Sequence, residues 1–264
     1  MSNESFWVEG VEVNCISMRK TTASIIADAQ REKSFGVFTL NLDHVVKLRR
    51  DKDFRASYRN ARYVTADGFP IVWAGRLRRT RAERVTGADL IEPLCEAASK
   101  AGLSVFLFGS TFQSLAGAAR HLTTRYPGLE IAGIASPIQG FDPKSQSAVD
   151  YAKMIAESGA KICFVGLGAP KQELFAATAL AGSEGSVAFV CIGAGLDFLA
   201  GVQVRAPRWA QVANTEWMWR LLSNPRRFGR RYLDCFTLLP SVLAPSLTGH
   251  RVGQAVKLEA PSQN

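Results

Sequence analysis

The chain has 264 residues, 47% of them hydrophobic, enough for one large folded domain with its own core. Its formal charge of +9 at pH 7 points to an anionic partner and carries no information about fold. No uninterrupted apolar run reaches the roughly 18 residues that a membrane-spanning helix needs. The five cysteines, odd in number and far apart, argue against a disulfide framework and for buried free thiols.

The first residues, MSNESFWVEG, lack the basic-then-apolar pattern of a signal peptide, so a cytoplasmic location is expected. Phe35–Leu40 (FGVFTL) reads as a strand and Leu42 to about Arg50 as a helix. Tyr63–Thr65 is a short strand that runs into Ala66-Asp67-Gly68. Ala88–Ala101 has helical spacing, with Leu90, Ile91, Leu94 and Ala98 on one face and Gly102 as its stop. Ser104–Phe108 reads as a buried strand ending at Gly109-Ser110, and Phe112–Tyr126 as a helix closed by Pro127-Gly128. Leu129–Ile134 is a strand, Ala148–Ser158 a helix, Lys161–Val165 a strand and Lys171–Ala181 a helix. Val187–Ile192 is a strand ending at Gly193-Ala194-Gly195. This strand, glycine turn, helix rhythm predicts an α/β fold. We expect a Rossmann-like, largely parallel sheet with helices on both faces. Ligands of such sheets bind at the carboxyl ends of the strands.

After Gly201 the character changes. Arg205, Arg208, Arg220, Arg226, Arg227, Arg230 and Arg231 face a single acid, Glu216, so +6 of the net charge lies between Gly201 and Arg231. Two tryptophans, Trp217 and Trp219, sit among them. The expected organisation is a catalytic domain over 1–200, a basic, aromatic appendage over 201–250 and a loose tail over 251–264. The apolar stretch Phe236–Leu247 is too short to span a bilayer and contains Pro240 and Pro245. Basic residues among aromatics suit either nucleic acid or an anionic membrane surface.

Several strand ends carry candidate chemistry. Gly109-Ser110 could admit an anion to backbone N–H groups at a helix start, or Ser110 or Thr111 could simply cap the helix. In Gly166-Leu167-Gly168-Ala169-Pro170-Lys171-Gln172-Glu173 two glycines open the turn, Lys171 offers a cation, and Gln172 and Glu173 are expected at the site mouth. The segment is neither a Walker A loop nor GxGxxG. Gly193 and Asp197 repeat the logic after the next strand. Asp67, directly after a strand, stands where a general base is useful, and Thr39 and Asn41 hold the matching place after FGVFTL. Arg84, ahead of Thr86-Gly87-Ala88-Asp89, offers a guanidinium fork to phosphate. His44, His121 and His250 show no metal-binding spacing with the cysteines.

Taken in order, TADGFPIVWAGRL, ERVTGADL, VFLFGS, VGLGAPKQE, GAGLDFLAG, VRAPRW and EWMWRLLSNPRRFGRRYL resemble the WecG/TagA/CpsF family of bacterial glycosyltransferases, glycosyltransferase family 26. The resemblance runs from about Phe35 to Leu233. It departs where Leu174-Phe175 follows PKQE, where Leu196 replaces a usual Phe, and in Thr39-Leu40-Asn41-Leu42.

The resemblance implies an inverting transfer from a UDP-sugar donor to a polyprenyl-diphosphate-linked acceptor, for surface polysaccharide, without metal or other cofactor. The sugar would be of N-acetylmannosamine type, glucose type or a uronic acid. It implies Asp67 as base, Thr39, Asn41 and Gln172 around the reacting sugars, and Arg84, Arg205, Arg220 and Arg227 on the acceptor diphosphate. Gly109, Ser110, Gly168, Lys171, Gly193 and Asp197 would border the donor. The expected partner surface is the inner face of the plasma membrane, met through the appendage, and not nucleic acid. The rival readings are a nicotinamide-dependent oxidoreductase, against which the missing GxGxxG after the first strand and the absent ribose-binding acid count, and a nucleic-acid-binding protein, which leaves the Asp67 and Gln172 segments unexplained.

Overall fold

The computed structural model describes residues 4–31, 33–182, 185–207, 210, 216–223 and 225–244. Its centre is a six-stranded, wholly parallel sheet in the order β4-β3-β8-β7-β5-β6. The strands are β3 (Phe35–Leu40), β4 (Ala61–Ala66), β5 (Val105–Gly109), β6 (Ile131–Ala135), β7 (Ile162–Gly166) and β8 (Ala188–Cys191). A small antiparallel hairpin of β1 (Phe6–Val8) and β2 (Val11–Val13) precedes them.

The central strands are apolar throughout because both faces are covered. Val37, Leu107, Phe164 and Val190 point into one core, with α1 (Met18–Ala29), α5 (Gly87–Ala101), α6 (Phe112–Arg125) and α9 (Gly195–Leu199) packed over them. Phe38, Phe106, Phe108 and Phe189 point into the other. There α2 (Leu42–Arg50), α3 (Lys52–Ser57), α4 (Phe69–Leu77), α7 (Gln146–Glu157) and α8 (Lys171–Gly182) cover them. Phe38, Phe108, Phe164, Phe175 and Phe189 are fully buried, each worth about 1.5–3 kcal/mol of apolar transfer. All five cysteines are free and buried, and burial pushes the Cys15 thiol up to about 11.

The helix after β3 leaves over one face and the helix after β8 over the other. The carboxyl ends of these neighbouring strands therefore flank a crevice, the usual ligand position in such sheets. Local signals set the helix starts around it. Asn41 caps α2 by accepting from His44 N at 2.9 Å, Thr86 caps α5 through Asp89 N at 3.1 Å, and Thr111 caps α6 through Ser114 N at 3.2 Å.

Two further helices, Glu216–Ser223 and Pro225–Leu243, follow the sheet domain. Pro225–Leu243 packs on α2 and α4. Asp234 meets Arg50 at 2.7 Å, Ser241 meets Arg49 at 2.9 Å, and Val242 is buried. Trp217 stacks edge-on against Phe236 with centroids 5.2 Å apart. The side chains of Arg220 and Arg227, and residues 245–264, lie outside the described part of the chain. Among the described residues no helix is long and apolar enough to cross a membrane.

Candidate active site

Thr39, Asn41 and Asp67 come together at the carboxyl ends of β3 and β4. Thr39 pairs with Thr65 across the strands, and the Asp67 N–H donates to Leu40 O at 2.8 Å. The Asn41 side chain works in two directions. Its Oδ1 caps α2, and its Nδ2 stands 3.4 Å from Asp67 Oδ2. Asp67 remains partly exposed, whereas Thr39 is 4% exposed. Behind Thr39, its carbonyl accepts from the Tyr58 hydroxyl at 2.7 Å, with His44 Nδ1 also 2.7 Å away. Burial first, then the nearby Glu173 carboxyl, pushes the Tyr58 hydroxyl well above its ordinary value, so it stays a neutral donor.

Arg84 is held at the same edge through its neighbour. Val85 N donates to Ala66 O at 2.9 Å, and Thr65 Oγ1 donates to Val85 O at 2.7 Å. Arg84 Nη2 then lies 3.4 Å from Asp89 Oδ2. Arg205, far along the chain, brings Nη2 to 2.7 Å from Asp89 Oδ1 and lies over the Phe198 ring at 5.9 Å. Two sequence-predicted arginines thus share one carboxylate. A cleft of about 270 Å³ opens beside them along the outer flank of α5 and includes Asp89, Glu92, Glu96, Tyr126 and Phe198. Its carboxylates outnumber its single arginine, Arg205.

The glycine turns border the other side of the crevice. Gly109 has φ +101°, and a Cβ there would lie 2.7 Å from Gly166 backbone atoms. Only glycine permits that approach. Ser110 has φ +50°, unusual for a non-glycine residue, and is tied on three sides. Its N–H donates to Gly166 O, its carbonyl accepts from Ser136 Oγ, and its Oγ donates to Asp197 Oδ1. The other Asp197 oxygen accepts from Gln203 at 2.6 Å. Ser110 and Asp197 therefore brace the turns against each other. Lys171 Nζ donates to Phe141 O at 2.9 Å.

Gln172 and Glu173 do not stand at the site mouth, as their place in the sequence suggested. They are 3% and 0% exposed, because α8 packs against the central strands β3, β8 and β7. Gln172 Oε1 accepts from Gly193 N at 2.9 Å, and its Nε2 donates to Glu173 Oε1 at 2.8 Å. This bridge links the turn after β7 to the turn after β8. Burial pushes the Glu173 carboxyl up to about 7, and its Oε2 has no hydrogen-bond partner.

Asp89 and Glu173 are the site-region residues that motif reading gave no role in the chemistry, the first named only as part of the segment after Arg84 and the second placed at the site mouth. No group of three His, Cys, Asp or Glu side chains suited to a metal ion occurs among the described residues.

The arrangement offers a carboxylate at two strand ends, a guanidinium pair beside it, and glycine-rich turns at three more. Comparison with known proteins gives this arrangement a context. An N-acetylglucosaminyldiphosphoundecaprenol N-acetyl-beta-D-mannosaminyltransferase of Bacillus subtilis (strain 168) is 29% identical over 195 residues, 74% of this chain and 73% of that protein. The model of the glycosyl transferase WecG/TagA/CpsF family matches residues 6–251, nearly the whole chain, and the chain belongs to that family of glycosyltransferases.

Proposed function

We infer that the chain moves a sugar from a UDP-sugar to a polyprenyl-diphosphate-linked acceptor at a membrane surface, with inversion and without a metal. The N-acetylmannosamine type is the donor sugar favoured by the similarity to the Bacillus transferase. The observation that carries the reading is the juxtaposition of Asp67, steadied by Asn41, with the Arg84–Asp89–Arg205 cluster at adjoining strand ends.

Asp67 takes the proton of the acceptor hydroxyl as that oxygen attacks the anomeric carbon. The bond from that carbon to the UDP oxygen breaks, and its electron pair leaves with UDP. A positioned base of this kind is worth roughly 10²–10⁴-fold in rate. Charge grows on the leaving diphosphate, where backbone N–H groups at the glycine turns can stabilise it. Arg84 and Arg205 are suited to the acceptor diphosphate by their forked donors.

The test is a UDP-release assay with a panel of UDP-sugars and a synthetic polyprenyl-diphosphate-linked N-acetylglucosamine, with and without EDTA. Acceptor-dependent release that survives EDTA supports the reading and identifies the donor. A folded protein that binds UDP and releases none with any donor and this acceptor overturns the acceptor assignment.

A further inference from the structure

Helix α4 exposes what a water-facing helix normally hides. Its inner face is ordinary, with Ile71, Val72 and Ala74 buried in the core. Its outer face carries Phe69, Trp73 and Leu77, spaced i, i+4, i+8, at 37%, 46% and 53% exposure. One exposed apolar side chain needs no explanation, but three in register on a nine-residue helix form a patch. The Phe69 and Trp73 rings lie together, with centroids 5.1 Å apart. The stripe runs about 12 Å at the ordinary helical rise.

Cations adjoin it. Arg76, Arg79 and Arg81 are exposed at the end of the helix and in the loop that follows. None of the ion pairs among the described residues involves them. Large apolar and aromatic side chains beside uncompensated arginines match the interface of an anionic bilayer, where rings sit among headgroups and guanidinium groups meet phosphates.

We propose that this face of α4 and the 76–81 loop form a membrane-contact surface of the catalytic domain itself, docking on an anionic lipid leaflet. Phe69, Trp73 and Leu77 enter the headgroup layer, and Arg76, Arg79 and Arg81 pair with lipid phosphates. The proposal builds on the lipid-linked acceptor of the preceding reading. In such an acceptor only a sugar and a diphosphate separate the reacting hydroxyl from the lipid chain. Asp67 must therefore work close to the bilayer surface, and α4 begins two residues after it. The surface is distinct from the basic C-terminal segment, although helix Pro225–Leu243 packs beside it.

The experiment is sedimentation of the full chain with vesicles of phosphatidylcholine, with and without phosphatidylglycerol, in the absence of donor and acceptor. One variant combines Phe69→Ser, Trp73→Ser and Leu77→Ser; the other combines Arg76→Gln, Arg79→Gln and Arg81→Gln. Each arginine at an anionic surface should contribute roughly fivefold in partitioning. The arginine variant should therefore lose at least tenfold in binding to phosphatidylglycerol vesicles, and the apolar-face variant should lose binding to the same vesicles, while UDP binding by calorimetry stays at the wild-type value in both. Wild-type sedimentation by both variants overturns the proposal. So does an apolar-face variant that sediments normally but forms a smaller species in the ultracentrifuge, because a second copy of the chain then covers the patch. The vesicles contain no acceptor, so failure of sugar transfer strikes the acceptor reading alone and loss of sedimentation reports the surface alone.

Discussion

Asp89 holds Arg205 at 2.7 Å, joining the start of the basic C-terminal segment to the first turn of α5. The other oxygen of the same carboxylate faces Arg84 at 3.4 Å. All three side chains are about a quarter exposed, so the pairs are partly screened and their value lies in position more than in stability. One anion thus gathers two guanidinium groups, the pair proposed above for the acceptor diphosphate.

Replacing Asp89 with Asn should therefore act on acceptor binding. Thr86 still caps α5, so the helix persists. We expect the acceptor KM to rise roughly tenfold, the size of one charge-assisted hydrogen bond, with kcat changed less than threefold. Asp89→Glu should recover part of the loss. Steady-state kinetics at fixed donor concentration separate KM from kcat; an unchanged acceptor KM would show that the arginines hold their places without the carboxylate.

In the proposed reaction Asn41 combines a structural and a chemical duty, and two substitutions separate them. Asn41→Ser keeps a cap acceptor for His44 N but loses the amide donor toward Asp67. It should unfold within a few tenths of a kcal/mol of wild type and lose activity. Asn41→Ala should lose the same activity and about 1 kcal/mol of stability as well. Asp67→Asn should drop turnover by at least 10²-fold while UDP binding persists. Thermal melts and UDP release on the three variants decide the matter, and an active Asp67→Asn enzyme would sink the base assignment.

Glu173 makes stability depend on pH. Its carboxyl is lifted by burial from an ordinary 4.5 to about 7 in the folded chain, so folding favours the protonated form. The stability this group contributes is fully present below about 4.5 and is lost as pH rises to about 7. The loss is on the order of 2 to 3 kcal/mol. Glu173→Gln keeps an acceptor for Gln172 and cannot ionise. Urea unfolding at pH 5 and pH 8 should show wild type losing more stability over this interval than the variant, by that amount. Parallel pH profiles would show that Glu173 is charged in the folded chain throughout.

The sheet was legible in the sequence because its central strands are buried on both faces. FGVFTL and SVFLF are continuous apolar runs, and each ends in a polar or glycine turn that proved to border the crevice. The hairpin Phe6–Val13 was not legible, since strands of three residues leave no periodicity. Helix α4 was missed for a different reason: FPIVWAGRL is apolar on its exposed face as well as its buried one, so no amphipathic pattern marks it. Asp67, Thr39 and Asn41 stood out as candidates because each lies at the end of an apolar strand run, and Arg84 because its guanidinium precedes Thr86-Gly87-Ala88-Asp89. The role of Asp89 depends on Arg205, a partner distant in sequence, and the burial of Glu173 depends on how α8 docks. Neither fact is local, so neither leaves a local signal.

The close approach of α5 to the end of β8 sets the Asp89 cluster against the Gly193 turn, and one methyl group tests it. A Cβ on Gly87 would lie 2.6 Å from Cys191 O and 2.8 Å from Ile192 Cα, backbone atoms that cannot swing aside. Gly87→Ala must therefore push the α5 N-terminus away from the end of β8, moving Asp89 and its arginines relative to the Gly193 turn. Overpacking of this kind costs about 1–3 kcal/mol. Because the strain sits between the proposed acceptor and donor sides, activity should fall further than stability alone explains. Gly102→Ala provides the contrast. It lies at the other end of α5 with φ +65° and open space around it, so it should cost about 1 kcal/mol and leave the kinetics unchanged. If both variants lose stability and activity in the same proportion, the close contact at Gly87 is a packing feature only. If Gly87→Ala alone loses activity while still largely folded at the assay temperature, the registration of α5 on β8 is what aligns acceptor with donor.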